Sequence, residues 1–255
     1  MIRIAAVGDV HVGPDMAGML REQLATVASR ADVLLIAGDL TKAGLPEEAE
    51  VLAGELHDLG VPVIAVLGNH DHHSDREHDV ARILRDAEVA ILEGDHTTIE
   101  TASGTVGIAG VKGFGGGFPG ASGSAFGERE MKAFIEHSKE RADALGDALA
   151  DLDADVKVAL MHYAPVRETL SGEPPEIFPF LGSYLLAEAV DRGGADIAIH
   201  GHAHRGREHG VTPGGVHVRN VAQPVIRQGY AVYEFDAARD GSGRRRVTAS
   251  SSTSA

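Results

Sequence analysis

The sequence predicts an α/β protein built on parallel strands, and three observations carry that expectation. Three apolar runs end alike: "IAAVGD" at Asp9, "LLIAGD" at Asp39 and "IAVLGN" at Asn69, thirty residues apart. Each is a continuous run of the kind buried on both faces of a sheet, then a glycine, then a polar oxygen donor. Helix-favouring segments at 17–30 and 46–59 fill the gaps, the second with Pro46 at a favoured first-turn position. Thirty residues is also about the length of a strand–helix unit that returns the chain parallel to itself. Such crossovers are right-handed, so the three strand ends share one sheet edge, where ligands of open α/β sheets gather. Asp9, Asp39 and Asn69 are therefore expected to converge. Gly8, Gly38 and Gly68, lacking Cβ, are expected to let the chain turn sharply and bring its backbone near a ligand.

The later elements follow in order. Residues 89–111 predict short strands with a hairpin, and 128–149 a long charged helix. "VKVALMH" (156–162) and "ADIAIHGHAH" (195–204) read as two further strands ending in polar residues. Residues 215–221 and 229–235 read as closing strands of a second sheet. The chain of 255 residues is read as one domain over 1–236. The tail 237–255, with "DGSGRRR" and "SSTS", has too little apolar content to fold and is expected to be disordered.

Composition narrows the function classes. Without cysteine there is no thiol nucleophile or zinc–thiolate site, so any metal takes nitrogen and oxygen ligands. The net charge of −15 argues against an extended nucleic-acid partner, whose binding proteins carry the opposite sign. No run approaches the roughly 20 apolar residues that span a bilayer, and the start lacks a signal-peptide pattern. The expectation is a cytoplasmic protein with no membrane partner; its oligomeric state is left open.

Five short blocks carry chemistry: "GDVH" (8–11), "GD" (38–39), "GNHD" (68–71), "MHY" (161–163) and "GHAH" (201–204). Each ends a predicted strand, where residues two apart point to the same side, so Asp9 acts with His11 and His202 with His204. A lone histidine is ordinarily a surface residue or a hydrogen-bonded core residue, the reading given to His57, His78, His96, His137, His200, His209 and His217. Pooled, the candidate ligands are Asp9, His11, Asp39, Asn69, His162, His202 and His204. Seven nitrogen and oxygen donors are too many for one ion and suit two, with Asp39 the natural bridge.

In this order the five blocks resemble the calcineurin-like metallophosphoesterase superfamily, over about four fifths of the chain. Gly-Asp alone is a weak signal; Gly-Asn-His-Asp together with Gly-His-x-His is a strong one. The resemblance implies a two-sheet αββα sandwich, with mixed sheets flanked by helices. It implies Asp9, His11, Asp39 and His204 around one metal, and Asp39, Asn69, His162 and His202 around the other. It further implies a dinuclear phosphoesterase that hydrolyses a phosphodiester or phosphomonoester by in-line attack of a metal-bound hydroxide. His70 would protonate the leaving oxygen, with Asp71 positioned to orient it. Mn or Fe is favoured, with Zn, Ni or Mg as other occupants. A nuclease of the same superfamily and a non-catalytic binding or scaffold protein of the same fold are the alternative readings.

The expected substrate is a small phosphate ester, with a nucleotide as one candidate. Five of the seven phenylalanines lie in two loops, Phe114, Phe118 and Phe126 in 111–128, Phe178 and Phe180 in 172–183. They read equally as a lid or platform for a flat group or as pins that fix the loops to the core. Phe114 and Phe118 are taken as substrate candidates, with Lys112 and Arg167 as receivers of a substrate phosphate.

Overall fold

The structure is a computed structural model and describes residues 1–239 and 245–250. In chain order the first strands are β1 (Ile2–Val7), β2 (Val33–Ala37), β3 (Val63–Val66), β4 (Ala90–Leu92), β5 (Asp95–Thr101), β6 (Gly104–Val111), β7 (Gly117–Phe118) and β8 (Ala121–Ser122). They are followed by β9 (Val156–Met161), β10 (Ile197–His200), β11 (His209–Val211), β12 (His217–Asn220), β13 (Ala231–Arg239) and β14 (Arg245–Ser250). The helices are α1 (Met19–Leu24), α2 (Val27–Arg30), α3 (Pro46–Leu56), α4 (Glu77–Asp86), α5 (Arg129–Asp151), α6 (Phe178–Leu181), α7 (Tyr184–Gly193) and α8 (Gln223–Ile226).

Two six-stranded sheets stack face to face, ordered β14-β13-β1-β2-β3-β4 and β11-β12-β10-β9-β6-β5. The strands that lead into the five blocks run parallel to one another within each sheet: β1 with β2 and β2 with β3, and β9 with β10, with β6 parallel on the far side of β9. The side-chain period of two explains why these runs are apolar throughout. Ile4, Ala6, Val33, Leu35, Ile64 and Val66 face Val106, Ile108, Val158 and Leu160 in the core between the sheets. The alternate residues Ala5, Val7, Leu34 and Ile36 pack outward on Leu52 and Leu56 of α3 and Leu84 of α4. Ala159 and Met161 pack outward on Leu145 and Leu149 of α5 and on Leu186 and Val190 of α7. The αββα sandwich is thus a three-core stack.

Several expectations are corrected. The segment 17–30 is two short helices, α1 and α2, broken where the Thr26 hydroxyl meets the Tyr230 hydroxyl at 2.6 Å. The 89–111 region does hold the β5–β6 hairpin, but β4 belongs to the other sheet and pairs with β3. Of the two closing strands, β12 joins β10, whereas β13 returns to the first sheet antiparallel to β1. Nor is the tail unstructured where it is described. β13 runs on to Arg239, and β14 pairs with it antiparallel from Val232↔Ser250 to Arg239↔Arg245. Main-chain pairing to an open sheet edge needs no apolar content, which is why composition missed it. The remainder of the expected tail, 240–244 and 251–255, lies outside the described residues.

Candidate metal centre

All five blocks meet at the carboxyl edge shared by the two sheets. Ligand atoms of Asp9, His11, Asp39 and His204 lie within 4.8 Å of one another, and so do those of Asp39, His162 and His202. Asn69 completes the second group, its Oδ1 lying 2.9 Å from His162 Nε2. All seven candidate ligands are therefore in two adjoining groups that share Asp39. The two oxygens of Asp39 divide between them: Oδ2 is 3.7 Å from His11 Nε2, and Oδ1 is 3.3 Å from His162 Nε2.

The backbone is bent to present these side chains. Asp9 (φ 59°), His11 (φ 43°), Asp39 (φ 49°) and His202 (φ 70°) all adopt the left-handed conformation. Such residues cost of order 1–3 kcal/mol each and persist where the surroundings hold them. Gly38 (φ 79°) has the same conformation, and a Cβ there would sit 2.5 Å from His162 Nδ1. A Cβ on Gly68 would collide with the Asp39 carboxylate. These two glycines meet the close-approach expectation. Gly8 is less demanding, its Cβ position being 3.2 Å from that of Ala37.

Burial grades the centre from floor to mouth. The Asp9 side chain is wholly buried and that of His204 is 41% exposed. Burial raises the Asp9 carboxyl to about 6, against the lowering effect of its hydrogen bond from His204. Both Asp9 oxygens accept the His202 backbone N–H at 3.0 Å, and Oδ1 also accepts from His204 Nε2 at 2.9 Å. That bond is the main reason the His204 imidazole is raised.

The donor set fits cations. His162 Nδ1 faces the Ala37 carbonyl at 2.9 Å, an acceptor only, so Nδ1 carries the proton and Nε2 is a lone pair. Burial holds this imidazole well below its usual range, hence neutral. Its lone pair nonetheless faces the oxygens of Asn69 and Asp39. Acceptors converging on acceptors in a buried pocket repel unless a positive ion stands among them. Divalent metal ions match that requirement.

His70 and Asp71 part company. His70 Nδ1–H donates to the Lys42 carbonyl at 2.8 Å, and its ring packs edge-on against His11 with centroids 4.5 Å apart. The expectation that Asp71 orients His70 is corrected. Asp71 is fully buried and turned inward from a 3-10 turn (His70–His72). There it accepts from the backbones of Leu40, Thr41 and Gly68 (3.1, 2.8 and 2.7 Å) and from the Thr41 hydroxyl (2.6 Å). Its carboxylate ties the β2 loop to the β3 loop. Burial, more than these bonds, sets its carboxyl at about 6.

Of the substrate candidates, Lys112 and Phe114 stand beside the centre. The Lys112 ammonium lies over the rings of Phe114 (5.1 Å) and Tyr163 (5.5 Å), and Tyr163 packs on His202 at 4.5 Å. Phe118 is corrected: it is buried in a satellite core with Leu170, Phe178 and Leu181, pinning the glycine-rich loop. Arg167 is also corrected. It stacks on Phe178 at 5.5 Å and lines a cavity of about 510 Å³ with Phe118 and Tyr184, none of whose lining residues is a candidate ligand. Sequence reasoning missed Tyr163 as a wall of the site and His137, whose ring meets Phe114 edge-on at 4.7 Å. The core reading of His200 holds: it is buried and bonded to the Thr169 hydroxyl at 2.9 Å.

The two-sheet sandwich thus gathers two candidate metal-ligand groups at its carboxyl edge. The calcineurin-like phosphoesterase family model matches residues 2–206. The chain belongs to that family. A Synechococcus protein described as a probable cyclic nucleotide phosphodiesterase is 35% identical over 80 residues, which is 28% of this chain and 31% of that protein. Phosphopantetheinyl hydrolase from Mycobacterium tuberculosis has the same fold (TM-score 0.63, 18% identity, 86% of this chain and 88% of that one). So does the protein TT1561 of Thermus thermophilus (TM-score 0.59, 17% identity, 97% and 98%). Among the described residues no helix is long and apolar enough to cross a membrane.

Proposed function

We propose that the chain hydrolyses a phosphodiester or phosphomonoester of modest size at a two-metal centre. The observation that carries this reading is Asp39, which turns one carboxylate oxygen to each ligand group. Asp9, His11, Asp39 and His204 would hold one ion, and Asp39, Asn69, His162 and His202 the other. The mixed imidazole and carboxylate set favours Mn or Fe. When bound, such ions supply charge stabilisation to the phosphoryl oxygens and activate water.

The chain's own residues do the remainder. The Lys42 carbonyl holds the His70 Nδ1–H, so Nε2 is the nitrogen left to deliver a proton to the leaving oxygen. Contact with His11 keeps the ring against the candidate ligands. The Synechococcus relative supports a nucleotide diester as the first substrate to try, and the charge of −15 weighs against long nucleic acid.

The test is elemental analysis of protein loaded with Mn or Fe, coupled to assays on p-nitrophenyl phosphate, its bis-ester and cyclic nucleotides. The expected result is about two ions per chain and turnover of at least one substrate class. Fully loaded protein inert towards all of them refutes the reading.

A further inference from the structure

We propose that Lys112 is the cation of an anion subsite beside the metal centre, selecting phosphoesters that carry a second phosphate-type anion. The inference rests on the phosphoesterase reading for the reacting group and on separate residues for the second anion.

Position comes first. Lys112 follows the last residue of β6, next to β9, and its carbonyl accepts from the backbones of His162 (3.0 Å) and Tyr163 (3.1 Å). The lysine is thereby clamped to the same sheet edge as a candidate ligand. Tyr163 bridges the rest of the distance, with the ammonium over its ring and His202 packed against it.

The ammonium itself makes no close polar contact among the described residues. Lys112 is 8% exposed, and among the described residues no hydrogen bond or ion pair reaches Nζ; only the two aromatic faces do. A cation withdrawn from water and held by rings keeps three N–H donors unspent, and cation–π contact returns only part of the lost hydration. The acidic neighbours are committed elsewhere. Glu93 accepts from Arg141 Nη1 and from the Lys112 backbone, each at 3.2 Å, and Glu77 lies 3.9 Å from His72 Nδ1. A second unsatisfied group stands nearby: His72 Nε2 is buried without a partner, on a ring within the field of Lys112.

The other groups facing the ammonium are Asp39, Arg141, His137 and His162. Arg141 Nε is likewise buried without a partner, so an entering anion would meet Lys112 and Arg141 as cations with N–H groups not already in use.

The test compares calorimetric binding of propylphosphonate and propane-1,3-diphosphonate to the metal-loaded chain and its variants. The wild-type protein should bind the bis-anion at least about tenfold more tightly, an increment of the size of one charge-assisted contact. In Lys112→Met the ratio should fall towards one, and Lys112→Arg should restore most of it. Lys112→Gln serves if the Met variant does not fold. An unchanged ratio in the neutral variant, or no wild-type preference, overturns the proposal. A Lys112-dependent preference in protein that hydrolyses no phosphate ester would sustain the subsite and sink the hydrolase reading.

Discussion

The two sheets furnish the site in different ways. The first gives mainly oxygen donors, Asp9, Asp39 and Asn69, at the ends of three parallel strands in regular succession. The second gives only imidazoles, His162, His202 and His204, from β9 and the turn after β10. The oxygen side is the buried floor, the Asp9 and Asp39 side chains being at most 2% exposed. The imidazole side grades outward to the exposed His204. The carboxylates thus lie in the interior, and the most exposed imidazole, His204, stands at the opening.

Asp39→Ala should break this division most severely, because Asp39 serves both groups. Turnover should fall by at least about 10³-fold, and elemental analysis should show less than half the wild-type metal. Retention of both ions would mean that the two groups are independent.

Next comes the pair His70 and Asp71, adjacent in sequence and opposite in direction. His70→Ala should lower kcat by about 10²–10⁴-fold with metal content retained. Asp71→Ala should instead lower stability by about 3 kcal/mol in urea unfolding, since it orphans four buried donors. If stability moved with His70→Ala and not with Asp71→Ala, the two roles would be exchanged.

The smallest contrast lies in the aromatic loops. Phe118→Ala should cost about 3 kcal/mol, whereas Phe180→Ala, at a residue 61% exposed, should stay within about 0.5 kcal/mol. Equal losses would place both rings in the core.

These contrasts mark what could be read in the sequence. Asp9, Asp39 and Asn69 were legible because strand periodicity and crossover handedness fix where parallel strands end. The imidazole side has no such period, and its histidines are legible only from their place at predicted strand ends and the two-residue spacing of His202 and His204. Asp71 was misread because a 3-10 turn reverses neighbouring side chains, a rotation that spacing does not reveal. Phe114 and Phe118 look alike in a glycine-rich run, and only the docking of β7 beside α6 separates them. The strands β13 and β14 depend on an edge left open by the first sheet, a property of the assembled fold rather than of the segment.

The left-handed turns at Asp9, His11, Asp39 and His202 also bear on how this site can diverge. Aspartate, asparagine and histidine are among the side chains that tolerate this conformation best, and β-branched residues are the worst suited. Aspartate and asparagine codons differ by one nucleotide. A descendant can therefore exchange the charge at Asp9 or Asp39 for a neutral amide in a single mutation while keeping the turn, and so retain the shape of the cleft after its chemistry has gone.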